Sequence, residues 1–364
     1  MRHLALLFLL TLAPAVLGQP EPSALYAGGD RQSVRVSLEG VYQRFTDEGQ
    51  DLAEVSVPLG VYLPLGANVA LGLNANYAAV SGSEIETLSA FGDVQFVASY
   101  FQPVGDGSVV LSLGFNANTG SSALTFEEFE AATRASQTVY DFRVPTFGQG
   151  LRVAPAVTYA FPLSDRVALG LGASYQYRGP YEPLADELDQ YDPGEEVLLT
   201  GGTDLKVTDL SSVSLDVSYA LNGTDSWGAI EYEPGNTVSA AMQYLQLVGR
   251  HEVRVLARYQ SRGEGRLPQA TVLGGTAAET AVPTQLLVAA TGQIEVAPVL
   301  RLGVLARARI YGESALVPEG QTLTDLGLVP TVRVGERLHL TGRFVYTLGS
   351  FSGFTAGGGM SIAF

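Results

Sequence analysis

The chain has 364 residues, a formal net charge of −16, 42 glycines, one tryptophan and no cysteine, with 46% hydrophobic and only 16% charged residues. The acidic balance excludes the basic face that a nucleic-acid binder needs, and the missing cysteines exclude a disulfide framework, thiol catalysis and thiolate metal sites. Stability has to come from burial or from closed backbone pairing.

The N-terminus reads "MRHLALLFLLTLAPAVLGQP", with a positive residue at Arg2, an apolar run from Leu4 to Leu12 and small residues leading to a cut after Gly18. The run is too short for a membrane helix and has the build of a secretory signal peptide. The expected organisation is therefore a signal peptide over 1–18, a short lead over 19–30 and one structural unit over 31–364. No cysteine stands near the cut, so an acyl-anchored lipoprotein is excluded.

After Gly18 no stretch has the roughly 20 apolar residues of a spanning helix. Period-two alternation recurs instead, in runs of about a dozen residues. "NVALGLNANYAAV" sets Val69, Leu71, Leu73, Ala75 and Tyr77 against Ala70, Gly72, Asn74 and Asn76. "SVVLSLGFNAN" and "RVALGLGASYQY" repeat the pattern, each with a second face of Gly, Ser, Asn, Gln or Ala. Such segments begin near residues 33, 51, 68, 87, 108, 148, 166, 196, 212, 236, 252, 284, 299, 323, 337 and 353. Their connections alternate between tight turns ("PLGAN", "PVGDGS", "PLSDR", "VGRHE", "VGERL") and mostly longer polar loops, above all 118–147, 179–195, 222–235, 262–283 and 312–322. Soluble sandwiches and solenoids also alternate. A solenoid would show a fixed repeat, and a sandwich would expose charge where this chain has Gly, Ala and Ser. The fold class read from this pattern is all-β: a transmembrane, antiparallel, up-and-down barrel of about 16 strands, with 14 as the neighbouring even number. Aromatic girdles are expected from Tyr62, Phe101 and Phe161 at the tight-turn rim, and from Tyr77, Tyr175, Tyr177, Tyr259 and Tyr346 at the long-loop rim.

The pattern resembles bacterial outer-membrane β-barrel proteins over about residues 31–364, porins most of all. The last strand, "TAGGGMSIAF", alternates and ends on Phe364; it resembles the signal read by the barrel-assembly machinery of that class. A weaker resemblance is to the fatty-acid transporter barrels, through "VAPAVTYAFPLSDRVALGLGASYQYRG". The resemblance implies a cell outer membrane location after signal removal, with outer-membrane lipid, the assembly machinery and small solutes as partners. It leaves a homo-oligomer open.

Taking the apolar parity as lipid-facing places the other parity in a lumen. Basic lumen residues gather late: Arg254, Arg258, Arg301, Arg307, Arg309, Arg333 and Arg343, with His339 beside them. Acidic ones gather early: Glu39, Glu54, Asp93, Asp204 and Asp216, although Arg35, Arg152, Lys206 and Glu295 break the sorting. "SSALTFEEFEAATRAS" (121–136) reads as an amphipathic helix in the third long-rim loop, the loop that in porins folds inward. The expected constriction sets Arg258, Arg307, Arg309 and Arg343 on one wall against Glu127, Glu128 and Glu130 of the loop, a transverse field across a pore. The bland counterpart is an exposed loop helix with the arginines held in salt bridges.

The acids Asp189, Asp192, Glu195 and Glu196 lack the spacing of an EF-hand loop and read as a solvated loop, so no metal and no cofactor is expected. Neither G-x-S-x-G nor a phosphate-binding glycine loop occurs, and His339 is the one lumen imidazole. The chain is therefore read as a non-enzyme: a passive, porin-like channel for small polar solutes. A transporter of hydrophobic compounds, or a non-conducting structural or adhesive barrel using loop aromatics such as Trp227 and Tyr232, stands as the alternative.

Overall fold

The computed structural model describes residues 33–47, 49–185, 189–266, 278–279, 282–314, 317 and 319–364; the expected signal peptide and lead lie outside the described residues. The alternating segments form β1 (Arg35–Asp47), β2 (Gln50–Pro64), β3 (Val69–Gly82), β4 in two pieces (Ile85–Phe91 and Gln95–Val104), β5 (Gly107–Asn116), β6 (Arg152–Pro162), β7 (Val167–Arg178) and β8 (Glu196–Thr208). They continue as β9 (Ser211–Asn222), β10 (Thr237–Val248), β11 (His251–Arg262), β12 (Gln285–Ala297), β13 (Leu300–Tyr311), β14 (Gln321–Val334), β15 (Leu338–Gly349) and β16 (Ser352–Ala363).

Each strand pairs antiparallel with the next, and β16 returns to β1 from Arg35↔Ala363 through Thr46↔Ser352. The wall is thus a closed barrel of sixteen strands, a closure that leaves no open edge. Phe364 prolongs the seam, its N–H donating to the Val34 carbonyl at 2.9 Å.

The two rims differ as the connections predict. Four of the tight turns carry a glycine at positive φ, namely Gly66 (85°), Gly105 (58°), Gly249 (62°) and Gly335 (70°). Added Cβ atoms there would meet nothing within 4 Å, so the backbone conformation alone demands glycine. The opposite rim carries the long loops.

On the outer face the apolar parity is exposed all round, as at Leu113, Leu171, Val217, Met242, Leu326 and Phe344. A contiguous apolar surface of this kind belongs in lipid rather than water. Tyr77 and Phe91 meet edge-on at 5.2 Å, and Tyr159 stacks on Phe161 at 5.3 Å. Two girdle expectations are corrected. Tyr62 pairs with Arg35 and Gly72, and Phe101 shares the parity of Ser99, so both rings belong to the inward face. A tight turn next to each aromatic residue in sequence does not fix which face the pleat gives it.

One strand departs from the regular pattern. Both pieces of β4 pair with β3, but Gly92–Val94 step out of the ladder between them. This irregularity aims Asp93 at the third long-rim loop, the kind of re-aiming that bulges perform.

Candidate functional site

The third long-rim loop, residues 117–151, folds into the barrel. Its entry and exit are clamped together by Asp93, which is buried. The Asp93 carboxylate accepts from the backbone N–H groups of Thr119 (3.1 Å), Gly120 (2.7 Å) and Gln149 (2.8 Å), and from Asn116 Nδ2 at 2.9 Å. Gly120 and Gly148 pass at backbone contact: a Cβ on Gly148 would lie 2.6 Å from the Ser121 carbonyl carbon. Gly148→Val should therefore open the clamp at a cost of about 1–3 kcal/mol. Limited proteolysis should then cut within 117–151 faster than in the parent barrel, and an unchanged rate would refute the close approach.

Between the clamped ends lies α1 (Phe126–Ala135). Thr125 caps it: its hydroxyl accepts from the Glu128 N–H at 3.2 Å, and the Glu128 carboxylate returns a bond to the Thr125 N–H at 3.0 Å. Ala131 and Ala135 turn to the wall. The helix packs on β4 and β3, whose inward residues at that level are apolar: Ala78, Val80, Leu88 and Ala90. The chain then runs on as an extended strap through Val139, Phe142, Val144 and Phe147, which pack with Phe45, Leu52, Leu323 and Phe351. Phe45 meets the rings of Tyr140, Phe142 and Phe351 within 5.3–5.7 Å. Burial among these rings raises the Tyr140 phenol above its ordinary pKa.

Polar groups fix the strap on both sides. On the β1–β2 side, Gln43 Nε2 donates to the Asp141 carbonyl (3.2 Å) and Gln43 Oε1 accepts from the Arg143 N–H (2.7 Å). Glu54, wholly buried, accepts from the Val144 N–H at 3.1 Å, and Arg143 pairs with Glu39 at 3.1 Å. On the β13–β14 side, Arg307 bridges the Asp141 carboxylate (2.7 Å) and Asp325 (2.7 Å). Arg309, 1% exposed, binds both oxygens of Asp325 at 2.9 and 3.1 Å and donates to the Val139 carbonyl at 2.7 Å. Thr347 Oγ1 donates to Asp325 at 2.7 Å, and the Tyr311 hydroxyl donates to the Thr138 carbonyl at 2.9 Å. Asp325, 0% exposed, is thus shared by two guanidiniums, and Asp141 supplies the second negative charge.

The expected site residues divide accordingly. Arg307 and Arg309 hold the inward loop. Arg258 and Arg343 face the bore with exposed side chains. Glu127, Glu128 and Glu130 do not form the facing wall: Glu128 closes the helix cap, Glu130 pairs with Arg134 at 3.1 Å, and Glu127 is exposed in the first turn. The acid that meets the arginine wall is Asp141. It has a φ of 54°, a left-handed conformation that aspartate tolerates better than most residues. Nothing in the local pattern singles Asp141 out, whereas the inward parity of Asp325 was open to reading from Leu323 and Gly327 on either side.

The strap and α1 are held on β13 and β14, on Phe351 between β15 and β16, and on β1 to β4. The rest of the wall carries small and polar inward residues: Ser112, Thr158, Gly172, Thr200 and Ser214, with Asp204 accepting from Ser214. Above the strap, the fourth loop bridges the third through Leu124 and Leu184 and forms a small sheet with the fifth, in which the Tyr191 hydroxyl donates to Asp225 at 2.7 Å. Burial and that carboxylate raise the Tyr191 pKa.

No family model and no curated protein sequence matches the chain. Among solved structures it is similar to OprB from Pseudomonas putida at 11% identity and a TM-score of 0.49, covering 91% of this chain and 94% of that one. It is also similar to an anion-selective porin from Comamonas acidovorans (11%, TM-score 0.44, 91% and 98% covered). A third similarity is to an outer membrane channel from Pseudomonas putida F1 (9%, TM-score 0.42, 95% and 100% covered). At these identities the likeness is one of architecture alone. What the structure of this chain shows by itself is a closed antiparallel β-barrel of sixteen strands with an apolar outer face and charged groups on the inner one.

Proposed function

We propose that the protein is a passive channel for small polar solutes, narrowed by its third loop. The supporting observation is the strap held against part of the inner wall by Asp93, Glu54, Arg307 and Arg309, while Arg254, Arg258 and Arg343 keep exposed side chains on the inward face. Sixteen-strand barrels are wide enough to leave an aqueous channel, and an internal loop held to part of the wall narrows it. A bore lined by arginine, serine and aspartate favours polar solutes over the hydrophobic cargo of the alternative reading. Insertion into a planar bilayer should give stepwise conductance; a barrel that inserts and passes no current would refute the channel. Arg258→Gln with Arg343→Gln should move the reversal potential in a salt gradient towards cations. The shift should be largest at low salt, where the Debye length is about 30 Å at 0.01 M. Neutralising Glu127, Glu128 and Glu130 together should move it far less, because Glu128 closes the helix cap, Glu130 pairs with Arg134 and only Glu127 is left uncommitted.

Export through a signal peptide cut after Gly18, assembly directed by the strand that ends in Phe364, and residence in the cell outer membrane belong to the same proposal. The Phe364 ring is 65% exposed beside the seam. Phe364→Ala should lower the yield of heat-modifiable barrel in the outer-membrane fraction more than Trp227→Ala in the fifth loop. Equal yields would remove the special role of this residue.

A further inference from the structure

The tight-turn end of the bore has a different chemistry from the constriction. Four basic side chains from four strands share the inward parity there: Arg35 of β1, Arg301 of β13, Arg333 of β14 and His339 of β15. Arg333 and His339 are direct cross-strand partners. Arg301 stands opposite Thr331, which makes it a diagonal neighbour of Arg333. His339 leads through Ser361 to Ser37, one inward step from Arg35 on β1. Arg301, Arg333 and His339 are exposed to the bore.

Arg301 and Arg333 are like charges on neighbouring strands, diagonal to one another, and the carboxylate that faces Arg301 is engaged elsewhere. Glu295, opposite Arg301, holds Arg250 at 3.0 Å. Among the described residues, no carboxylate forms an ion pair with Arg301 or Arg333. In a chain of net charge −16, Arg301 and Arg333 are where a counter-charge from solution would be held. Adjacent strands lie about 4.8 Å apart, so long side chains from β13, β14 and β15 can converge on one small ligand. A tetrahedral oxyanion offers the several acceptors that guanidinium forks address. The inward parity of all four groups excludes a lipid headgroup as occupant.

We propose that this cluster is a binding station for a small multivalent oxyanion of the phosphate type, at the tight-turn end of the bore. Its part in permeation rests on the channel reading above; binding itself does not. Calorimetric titration of the folded, detergent-solubilised barrel with inorganic pyrophosphate tests it without any need for current. Wild-type protein should bind, and Arg301→Gln with Arg333→Gln should weaken binding by about tenfold or more, with both losing affinity as chloride rises. Arg254→Gln, which removes a bore arginine already paired with Glu252 at 2.9 Å, should change affinity little. Heat-modifiable mobility confirms that each variant is folded; if the double variant does not fold, each single variant carries the test. Absence of wild-type binding, or an equal loss in Arg254→Gln, would overturn the station. Absence of conductance with binding intact would overturn the channel alone.

Discussion

Asp325→Ala should destabilise the barrel by about 3–5 kcal/mol, the range for removing one partner of a buried ion pair. Arg309, 1% exposed, loses its carboxylate, and Arg307 is left with Asp141 alone. Thr347 and the Val139 carbonyl do not replace the charge. The measurement is the urea concentration at which the heat-modifiable band is lost. Asp325→Asn should fall between, since an amide oxygen still accepts from one guanidinium. Replacing Asp325, Arg307 and Arg309 together by leucine, methionine and leucine should recover much of the loss, because well-packed apolar groups substitute for a buried ionic network at little net cost. If Asp325→Ala unfolds at the parent urea concentration, the network is not desolvated in the membrane and its role in holding the strap falls.

The second large effect concerns current. Excising 121–147 and joining the flanking residues through a short Gly-Ser linker removes α1 and the strap together. The ion pair at Asp141 goes with them and the wall beneath the strap is uncovered, while the partners of Asp93 at Asn116, Thr119, Gly120 and Gln149 stay in place to hold the new, short connection. Conductance should rise by about threefold or more, towards that of an unobstructed barrel of sixteen strands. The smaller change Asp141→Ala cuts only the Arg307 bridge and should raise conductance modestly, with more frequent current fluctuations as the strap works loose. Unchanged conductance after excision would place the narrowest point elsewhere in the bore.

The wall was legible because lipid and a watery bore impose opposite demands on alternate residues. Strand starts read near 68, 108, 166 and 196 fall at Val69, Gly107, Val167 and Glu196. The rule fails where the bore is not watery. Phe45, Leu52, Val80, Leu88 and Leu323 face inward and are apolar because they meet the strap, so apolar parity alone cannot identify lipid there. The break at Gly92–Val94 was hidden for a related reason: both pieces of β4 alternate normally, and only the pairing with β3 shows that they are one strand. The inward fold of the third loop was legible as an expectation from its rank among the long loops and its helix signal. The residues that hold it were not, because Gln43, Glu54, Asp141 and Arg309 are brought together only by closure.

The strap also sets an order of events. Its bonds join Asp141 and Val144 to residues 98 and 90 positions earlier, and Val139 to Arg309, 170 positions later. Contacts so distant in sequence form late. Those at β1–β2 and at β13–β14 can coexist only when the two ends of the sheet have met through β16. An unsealed intermediate therefore has its third loop outside the bore, with Phe142, Phe147 and the strap backbone open to proteases. The docked loop is in effect a molecular receipt for closure: a barrel that resists cleavage between 117 and 151 has already sealed its seam.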